Sequence, residues 1–583
     1  MTKNNRFQIS IRRCIVICAV AIGSLSLAFS EDLFQVSKNL DIFASVFKEL
    51  NINYVDEVNS SRLIKTGIDA MLNDLDPYTE YVQESDIEDY RMKYVSTQYG
   101  GIGATVLNRN NKVIITDPYE GFPAQKADVR AGDEIVEING IKVKQKNNEQ
   151  VSQLLKGPKG TPVKLLLLRN GNNKPLEKNI LREDIKQPNV SYYGMLANNV
   201  GYIKLDKFLE NSGQKVRDAL TELRKNNLNG LVLDLRNNGG GILQEAVKIV
   251  NLFVEKDILV VVQKGRNREK TINYKTSNLP LEPSLPLVVL INNRSASASE
   301  IVAGSLQDLD RAVIIGQRSF GKGLVQQTFN LPYNSLVKVT VAKYYTSSGR
   351  CIQAMDYTHR TPEGNVEKIA DSVISEYKTR GGRSVYNGSG IYPDFFVKPL
   401  KYNQITQVLA NKFFIFDYAT RYRNSKPAIN LKEFKLTDAE YADFVNYLSD
   451  KDYNYFTRTE KLLNDLKAEA EKEQKLPEIK SEFEGLKSKI SFNKKNDLTQ
   501  FKGEIQRILE AEIISKYYFD KGRLESNFRH DEDMAKALIV IGDKSMLASV
   551  LDGTGSYKSI GKPVDAFSAN AASQNSPAGY APR

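Results

Sequence analysis

Three serines stand close together in the stretch NRSASASEIVAG (293–304), directly after the apolar run PLVVLIN (286–292). The apolar run predicts a buried strand, and the stretch after it predicts a helix. A serine at a helix start is most often a cap, so Ser295 is interpreted as a cap and Ser299 as packing on the helix face. Ser297, between them, is the candidate nucleophile, provided that a base and donors for an oxyanion lie near it.

The choice of base is narrow because the chain has two histidines, His359 and His530, both in polar, loop-like segments. A Ser-His-Asp triad would depend on one of them, and a histidine-rich metal site is excluded. A lysine kept neutral by burial is the alternative base. Lys322 in SFGKGLVQQTF fits this role because glycines and the apolar Phe320 and Leu324 surround it.

The same lysine lies in a near-match to a phosphate-binding loop, GQRSFGKG (316–323). The pattern requires serine or threonine after the lysine, but Gly323 stands there. The residues that follow, LVQQTFNLP, predict a strand, whereas a phosphate-binding loop leads into a helix. Nucleotide binding is therefore the weaker interpretation of this segment.

The N-terminus has a basic start followed by CIVICAVAIGSLSLAF and small residues at Ala28 and Ser30, which predicts export. Residues 1–30 are interpreted as a signal peptide, with an uncleaved membrane anchor left open. Cleavage would leave Cys351 without a partner for an internal disulfide. Without the four positive charges of residues 1–30, the net charge falls from +11 to +7, which makes a weak case for nucleic acid.

Changes in hydrophobic pattern divide the 583 residues into further regions. Residues 31–97 have helical periodicity, 98–185 have short strand-like runs separated by glycines, and 186–400 alternate strand and helix patterns, as in an α/β core. Residues 401–552 are charged and helical, with a capping box at Thr437 to Glu440 and an apolar stripe at Ile505, Ile508, Leu509 and Ile513. Residues 553–583 have the composition of a disordered tail.

The segment 98–185 resembles a PDZ domain. GGIG matches the loop whose backbone N–H groups bind a peptide carboxylate, and AGDEIVEINGIKV matches a later segment of that family. The matched loop residues are Gly100, Gly101, Ile102 and Gly103. One departure is Asp128, where the family usually has glycine, so this turn is expected to differ.

From about residue 31 to 400 the chain resembles the carboxy-terminal processing peptidases, also called tail-specific proteases. Several motifs occur in the order of that family: DPYT, the PDZ segments, GYIKLDKF, LVLDLRNNGGG, SASASEIVAGSLQD, FGKGLVQ, YYTSSGRCIQ and GIYPD. The resemblance implies a multidomain α/β protein with a helical N-terminal region, a β-rich PDZ domain, a crotonase-like serine-protease core and a helical C-terminal domain.

Matched position by position, the resemblance implies Ser297 as nucleophile, Lys322 as general base and Gln326 as the residue that orients the lysine. The implied oxyanion donors are the backbone N–H groups of Ala298 and Gly240. These two residues also lie at strand-to-helix junctions rich in small residues, where free N–H groups are expected independently of the family. Asp308 matches an acidic supporting position, and Arg182 matches an arginine linked to gating by the PDZ domain.

The expected activity is that of a serine endopeptidase that binds the C-termini of exported polypeptides, with a preference for apolar ends, and cleaves near them. No cofactor, metal or nucleic acid is expected, and the location is the periplasm or the outer face of a membrane. Association with the inner membrane through the N-terminus and assembly into a homo-oligomer are left open. The alternative is a non-catalytic PDZ scaffold in the cell envelope.

Overall fold

The computed structural model describes residues 34–87, 90–91, 98–169, 174–186, 188–266, 271–431, 433–490 and 494–554. These residues form two units, one up to Tyr81 together with Val337–Val339 and one with the remainder. The expected signal or anchor at 1–30 lies outside the described residues, as does nearly all of the tail expected at 553–583. None of the described helices has the length and apolar character needed to cross a bilayer.

The first unit is helical, as its periodicity predicts. A helix covers 34–53 and a second covers Ser60–Leu75, where the side chain of Asn59 caps the N-terminus by accepting the N–H of Arg62 at 2.9 Å. The DPYT motif forms the turn after the second helix. Asp76 accepts the N–H groups of Tyr78 and Thr79 at 2.8 and 2.9 Å, so the aspartate stabilises the turn.

The segment that resembles a PDZ domain has a six-stranded antiparallel sheet and two short helices. Strands cover Ala104–Arg109, Lys112–Pro118, Glu134–Ile138, Ile141–Lys142, Pro162–Leu168 and Leu176–Leu181, and helices cover Pro123–Lys126 and Asn148–Leu155. A further pair, Gln98–Gly101 and Glu183–Lys186, joins the two ends of the domain.

The turn at Asp128 keeps the backbone form that a glycine would favour. Asp128 has a φ of 55°, in the left-handed region that aspartate tolerates better than most residues. The Nε of Arg130 donates to its carboxylate at 2.7 Å, and Arg169 donates to it at 3.1 Å. The expected difference at this turn is therefore in side-chain chemistry and not in the backbone.

The α/β core is built on a six-stranded sheet. Its strands, in spatial order, are Val190–Met195, Val200–Leu205, Gly230–Asp234, Leu287–Ile291, Val313–Gly316 and Phe395–Phe396. The first pair is antiparallel and the others are parallel, so the strands from Val200 onward end at one edge. The predicted strand PLVVLIN and the predicted strand after Lys322, Leu324–Leu331, are both confirmed.

One face of this sheet is covered by helices that follow its strands. They cover Ser212–Arg224, Leu243–Val250 and Ala298–Asp308. Alternate strand residues such as Leu233 and Val289 point into this layer, where Leu220, Ile249 and Val302 are fully buried. The helix Ala298–Asp308 is buried along its whole length, which explains its small and apolar residues.

The opposite face is covered by two helices from the C-terminal helical region. Helices Glu532–Gly542 and Lys544–Leu551 bury Ala537 and Val540 against the alternate strand residues Val232 and Leu290. These helices belong to the region that the sequence pattern placed in the C-terminal helical domain, yet they pack on the core sheet. A sheet with buried parallel strands needs cover on both faces, and these two helices cover the second face.

The rest of the helical region comes, in sequence, after the core and before these last two helices. Its helices cover Gln404–Asn411, Phe414–Ser425, Asp438–Tyr447, Arg458–Lys472, Leu476–Ile490, Lys494–Gln500 and Lys502–Asn527. The predicted capping box is confirmed, since Glu440 accepts the N–H of Thr437 at 2.8 Å. The predicted stripe is also confirmed: Ile505, Leu509 and Ile513 are fully buried, and Ile508 packs against them.

The strand Leu324–Leu331, which follows Lys322, belongs to a second sheet of the core, where it pairs with Ser335–Thr346. Leu259–Gly265 pairs antiparallel with Ile272–Lys275 and with the end of Ser335–Thr346. Smaller pairs join Met355–Arg360 to Val366–Lys368 and Glu376–Lys378 to Ser384–Tyr386.

Candidate active site

Ser297 differs from the other two serines in exposure and in backbone conformation. It is half-buried, whereas Ser295 and Ser299 are fully buried. Its φ of 57° and ψ of −115° are strained for a residue with a side chain, and it is the residue that precedes the helix Ala298–Asp308. A strained turn that presents one hydroxyl at the start of a buried helix suits a nucleophile.

The two flanking serines hold the turn in place. Ser295 Oγ donates to the carbonyl of Leu235 at 2.8 Å and accepts the N–H of Asn292 at 2.9 Å, so the interpretation of Ser295 as the helix cap is wrong. Ser299 Oγ donates to the carbonyl of Asn238 at 2.8 Å. Both hydroxyls therefore connect this junction to the loop that follows the strand Gly230–Asp234.

Glu300, fully buried one turn into the helix, binds both candidate catalytic segments. Its Oε2 accepts the backbone N–H of Ser297 at 2.8 Å and the backbone N–H of Lys322 at 2.9 Å. Its Oε1 accepts the N–H of Gly321 at 2.7 Å and the hydroxyl of Ser319 at 2.5 Å. Burial raises the pKa of Glu300, and these four donors act in the opposite direction.

This shared oxygen sets the spacing of the candidate dyad. The backbone nitrogens of Ser297 and Lys322 lie 2.8 and 2.9 Å from the same oxygen, so the two nitrogens are close to each other. Lys322 is half-buried, in a loop (317–323, here called the lysine loop) whose Gly321 has a φ of 88° and packs against Ala354. The structure therefore brings together two residues that are 25 positions apart in the chain.

A buried tyrosine holds the carbonyl of the candidate nucleophile. The hydroxyl of Tyr344 donates to the backbone oxygen of Ser297 at 3.2 Å. Burial, together with the nearby Glu300, raises the pKa of Tyr344 well above its usual value, so the hydroxyl stays protonated as a donor. Tyr344 and Glu300 thus bind the carbonyl and the N–H of the strained residue.

The loop after Gly230–Asp234 (236–241, here called the glycine loop) meets the start of the helix. A Cβ placed on Gly240 would lie 2.8 Å from the nitrogen of Ala298 and 2.6 Å from the oxygen of Ala296. Gly240 also has a φ of 94°, so both space and backbone require glycine. The two small-residue junctions in the sequence are therefore adjacent in space.

The N–H of Gly240 has an acceptor within its own loop. It donates to Asn238 Oδ1 at 2.9 Å. The carbonyl of Asn238 accepts the N–H of Ala296 at 3.0 Å, which ties the loop to the serine turn. An oxyanion bound between Ala298 and Gly240 would share or replace the side-chain oxygen of Asn238.

Gln326 and Asp308, the two other implied site residues, each have their own set of contacts. The amide of Gln326 donates to Thr340 Oγ1 at 3.1 Å. Asp308 is at the far end of the 11-residue helix, about 16 Å from its start. Its carboxylate forms a buried ion pair with Arg350 at 2.7 Å and accepts the N–H of Ser348 at 3.1 Å, so its contacts are structural.

The GGIG segment forms the expected turn in the PDZ domain. Gly100 and Gly101 pair with Asp184 and Glu183, and Gly103 has a φ of 72°, packed so closely on Phe122 that a Cβ would lie 2.4 Å from it. The strand Ala104–Arg109 follows this turn and contacts the helix Asn148–Leu155. Ile102, Val151 and Leu155 belong to the buried apolar core of the domain.

Arg182 is buried within the PDZ domain. Its guanidinium donates to the carbonyls of Leu154 and Leu155 at 2.9 Å each, and to Pro162 at 3.0 Å. It therefore binds the C-terminal end of the helix Asn148–Leu155, where a cation is favoured by the helix dipole.

Sequence reasoning missed Glu300 and Tyr344 as site residues. The spacing of Glu300 could have revealed its role, because it stands three residues after Ser297. A carboxylate at that position can reach the N–H of the residue before the helix. Tyr344 opens the motif YYTSSGRCIQ, but that motif gave it no role, since it is 47 residues away and only the fold brings it to Ser297.

Three parts of the chain match described families. Residues 199–359 match Peptidase family S41, 114–169 match the PDZ domain, and 405–541 match the family described as probable PDZ-protease, C-terminal helical domain. A carboxy-terminal-processing protease of Bartonella bacilliformis is 36% identical over 356 residues, which cover 60% of this chain and 80% of that protein. The chain belongs to the carboxy-terminal-processing protease family.

Other members and solved structures are similar over shorter spans. A probable CtpA-like serine protease of Staphylococcus aureus is 36% identical over 333 residues, 56% of this chain and 66% of that protein. The photosystem II D1 C-terminal processing protease is 27% identical, with a TM-score of 0.34, over 61% of this chain and 92% of that one. The PDZ domain of a Vibrio cholerae carboxy-terminal protease, solved with a peptide, is 33% identical over 15% of this chain and 99% of that one, with a TM-score of 0.15.

Proposed function

We propose that this carboxy-terminal-processing protease cleaves exported polypeptides near their C-termini, with Ser297 as nucleophile and Lys322 as general base. The observation that carries this proposal is the carboxylate of Glu300, which binds the backbone of both residues through a single oxygen. A carboxylate that only stabilised the fold would have no reason to connect a strained, half-buried serine to a lysine flanked by glycines. The arrangement fits a dyad whose spacing is fixed before substrate binds.

In the first half of the reaction, the amine of Lys322 takes the hydroxyl proton of Ser297 as Oγ attacks a peptide carbonyl carbon. The carbonyl oxygen becomes an oxyanion, which accepts the N–H of Ala298 and that of Gly240. The ammonium of Lys322 then gives its proton to the amide nitrogen. The C–N bond breaks, the new amine leaves, and the acyl group stays on Ser297.

In the second half, water replaces the amine. Lys322 takes a proton from the water as its oxygen attacks the ester carbon, and the same two N–H groups bind the second oxyanion. The bond to Oγ breaks, Lys322 returns the proton to Ser297, and the acid product leaves. Gln326 is proposed to orient the lysine, by exchanging its bond to Thr340 for one to the amine when substrate binds.

Substrate selection is assigned to the PDZ groove. The turn at Gly103 offers backbone N–H groups to a terminal carboxylate, and an extended peptide can add as a strand beside Ala104–Arg109. An apolar terminal side chain is favoured because the pockets beside such carboxylate-binding loops are usually apolar. Export of enzyme and substrates is proposed from the basic and apolar N-terminal sequence alone.

The test combines cleavage with covalent labelling. Ser297→Ala and Lys322→Ala are each expected to abolish cleavage of an unstructured peptide with an apolar C-terminus, with the thermal unfolding midpoint retained. A serine-directed phosphonate or sulfonyl reagent should modify Ser297 in the wild-type protein, with the site read by peptide mass spectrometry. Turnover by either variant would overturn the dyad. Peptide binding without labelling or cleavage would instead favour a scaffold.

A further inference from the structure

The start of the helix Glu532–Gly542 (531–533, here called the acidic turn) binds the first residue of the glycine loop. Asp531 makes two bonds to the guanidinium of Arg236, at 2.9 and 2.7 Å. Asp533 accepts from the same guanidinium at 2.9 Å. Arg236 and Asp533 are largely buried, so these contacts are formed out of bulk water.

Arg236 is connected to the candidate oxyanion site through a short stretch of backbone. The carboxylate of Asp234 accepts the backbone N–H of Arg236 at 2.8 Å and its guanidinium at 2.6 Å. These bonds fix Arg236 just beyond the end of the strand Gly230–Asp234. Gly240 follows four positions later. Between them, Asn237 accepts from the side-chain amide of Asn292 at 2.9 Å, at the entrance to the serine turn. A displacement of Arg236 would therefore be transmitted to Gly240 through the backbone between them.

Asp533 also binds the lysine loop. Its second oxygen accepts the side-chain amide of Gln317 at 3.3 Å, and that amide donates to Val397 at 2.9 Å as well. Gln317 is the first residue of the loop that carries Lys322. The carboxylate of Asp533 thus joins the loop of the oxyanion donor to the loop of the base, from the side of the sheet opposite the helix Ala298–Asp308.

We propose that Asp533, supported by Asp531, is a positioning residue for peptide cleavage, so that the acidic turn completes the active site of the core. This inference rests on the proposed function, because it assumes that Ser297 is the nucleophile. Asp533 does not touch the reacting atoms. It acts through Arg236 and Gln317, by holding the two loops at one separation.

The test is the kinetics of Ser297 labelling in the full-length protein, using a sulfonyl fluoride in excess. Asp533→Asn keeps the size of the side chain but places an N–H₂ group against either Arg236 or Gln317, both of which are donors. We expect the labelling rate constant and kcat to fall about 10- to 100-fold, the scale expected for slightly misplaced groups, while KM changes much less. Asp533→Glu should recover part of the loss.

The matched control is Glu532→Gln, which removes the same charge from the same turn at an exposed position and should label at the wild-type rate. The proposal predicts complete labelling of Asp533→Asn at a reduced rate. Reduced final labelling at an unchanged rate constant would show instead that Asp533 only maintains the folded fraction, which overturns the positioning role. Wild-type rate and extent would overturn it too. Absence of Ser297 labelling in the wild-type protein would refute the proposed function itself.

Discussion

Glu300 accepts the backbone N–H of Lys322 at 2.9 Å from a position one helical turn beyond the candidate nucleophile. The carboxylate is fully buried and is surrounded by four donors that belong to the serine turn and to the lysine loop. Its role is therefore geometric. It aligns two segments whose side chains perform the proposed chemistry.

Replacement of Glu300 by glutamine should separate these segments. The amide supplies only one acceptor oxygen, so at least one pair of donors would face an N–H₂ group. Each buried donor left without an acceptor costs about 1–3 kcal/mol, and a kcat loss of about 100-fold is expected from the displaced loops. Urea unfolding and peptide cleavage measure the two effects. Full activity in Glu300→Gln would show that the shared carboxylate is dispensable.

Gly240→Ala should remove activity through backbone geometry. The new Cβ would meet the oxygen of Ala296 and the nitrogen of Ala298 at less than 3 Å, and the φ of 94° is unfavourable for alanine. We expect kcat to fall by about 100-fold or more, the cost of losing an oxyanion donor. Gly239→Ala is the fold control, because a Cβ there has no neighbour within 4 Å and should leave the unfolding midpoint unchanged.

If Gly240→Ala retained wild-type kcat, the oxyanion would have to be bound elsewhere. Labelling of Ser297 in the same variant distinguishes a lost oxyanion donor from general unfolding. A folded protein that binds the PDZ peptide but labels slowly is the expected result.

Asp308→Asn should lower stability and leave the chemistry of the folded protein intact. Asp308 pairs with Arg350 where both side chains are almost completely buried, so removal of one charge strands the other, at a cost of about 3–5 kcal/mol. At a temperature where the variant is folded, its labelling rate constant for Ser297 should equal that of the wild type. A slower rate constant at full labelling would give Asp308 the supporting catalytic role that the family resemblance implies.

The parts of the fold that follow from local pattern could be predicted. The strand before Ser297, the strand after Lys322, the capping box at Thr437 and the adjacency of the two glycine- and serine-rich junctions all depend on spacing or on parallel topology. Contacts between distant segments could not. Sequence pattern had no means of placing residues 532–551 on the core sheet, since a surface helix of any domain has the same amphipathic period.

The same limit explains the errors at the site. Ser295 stands where a cap would be expected, but the helix begins two residues later because Ser297 adopts a strained turn. The turn is maintained by Glu300 and Tyr344, and the second of these comes from a strand of another sheet. Strain supported by tertiary contacts leaves no local signature in the sequence.

Stability should fall in acid through the carboxyl of Asp234. Burial acts to raise its pKa, but the charges of Arg236 and Lys204 outweigh this and hold the pKa below its usual range. A depressed pKa stabilises the folded protein fully above the unfolded value of about 3.9, and this contribution is lost as pH falls through that value toward the folded one.

Urea unfolding between pH 7 and pH 3 measures this dependence. Asp234→Asn should be less stable at pH 7 and should lose less stability on acidification than the wild type. An equal loss in both proteins would assign acid sensitivity to other carboxyl groups.

At the end of the proposed peptide site that lies farthest from Gly103, the backbone of Asn108 is already bound by a side chain, which should limit the length of peptide that the domain reads. Asn108 donates its backbone N–H to Asn148 Oδ1 at 2.7 Å, and its side chain donates to the carbonyl of Lys146 at 2.5 Å. Because alternate residues of a strand face an added peptide, about the fifth residue from the peptide's C-terminus would pair with Asn108. That N–H is already occupied, so longer peptides should gain little affinity.

Asn148→Ala should release this N–H to the peptide. Six-residue peptides should then bind about 2- to 10-fold more tightly than four-residue peptides with the same C-terminus, the value of one added hydrogen bond. Fluorescence anisotropy in a Ser297→Ala background measures binding without cleavage. Glu149→Ala, one position along the same helix and exposed, is the control and should keep the wild-type length dependence. If both variants showed that same dependence, Asn148 would have no part in setting the register.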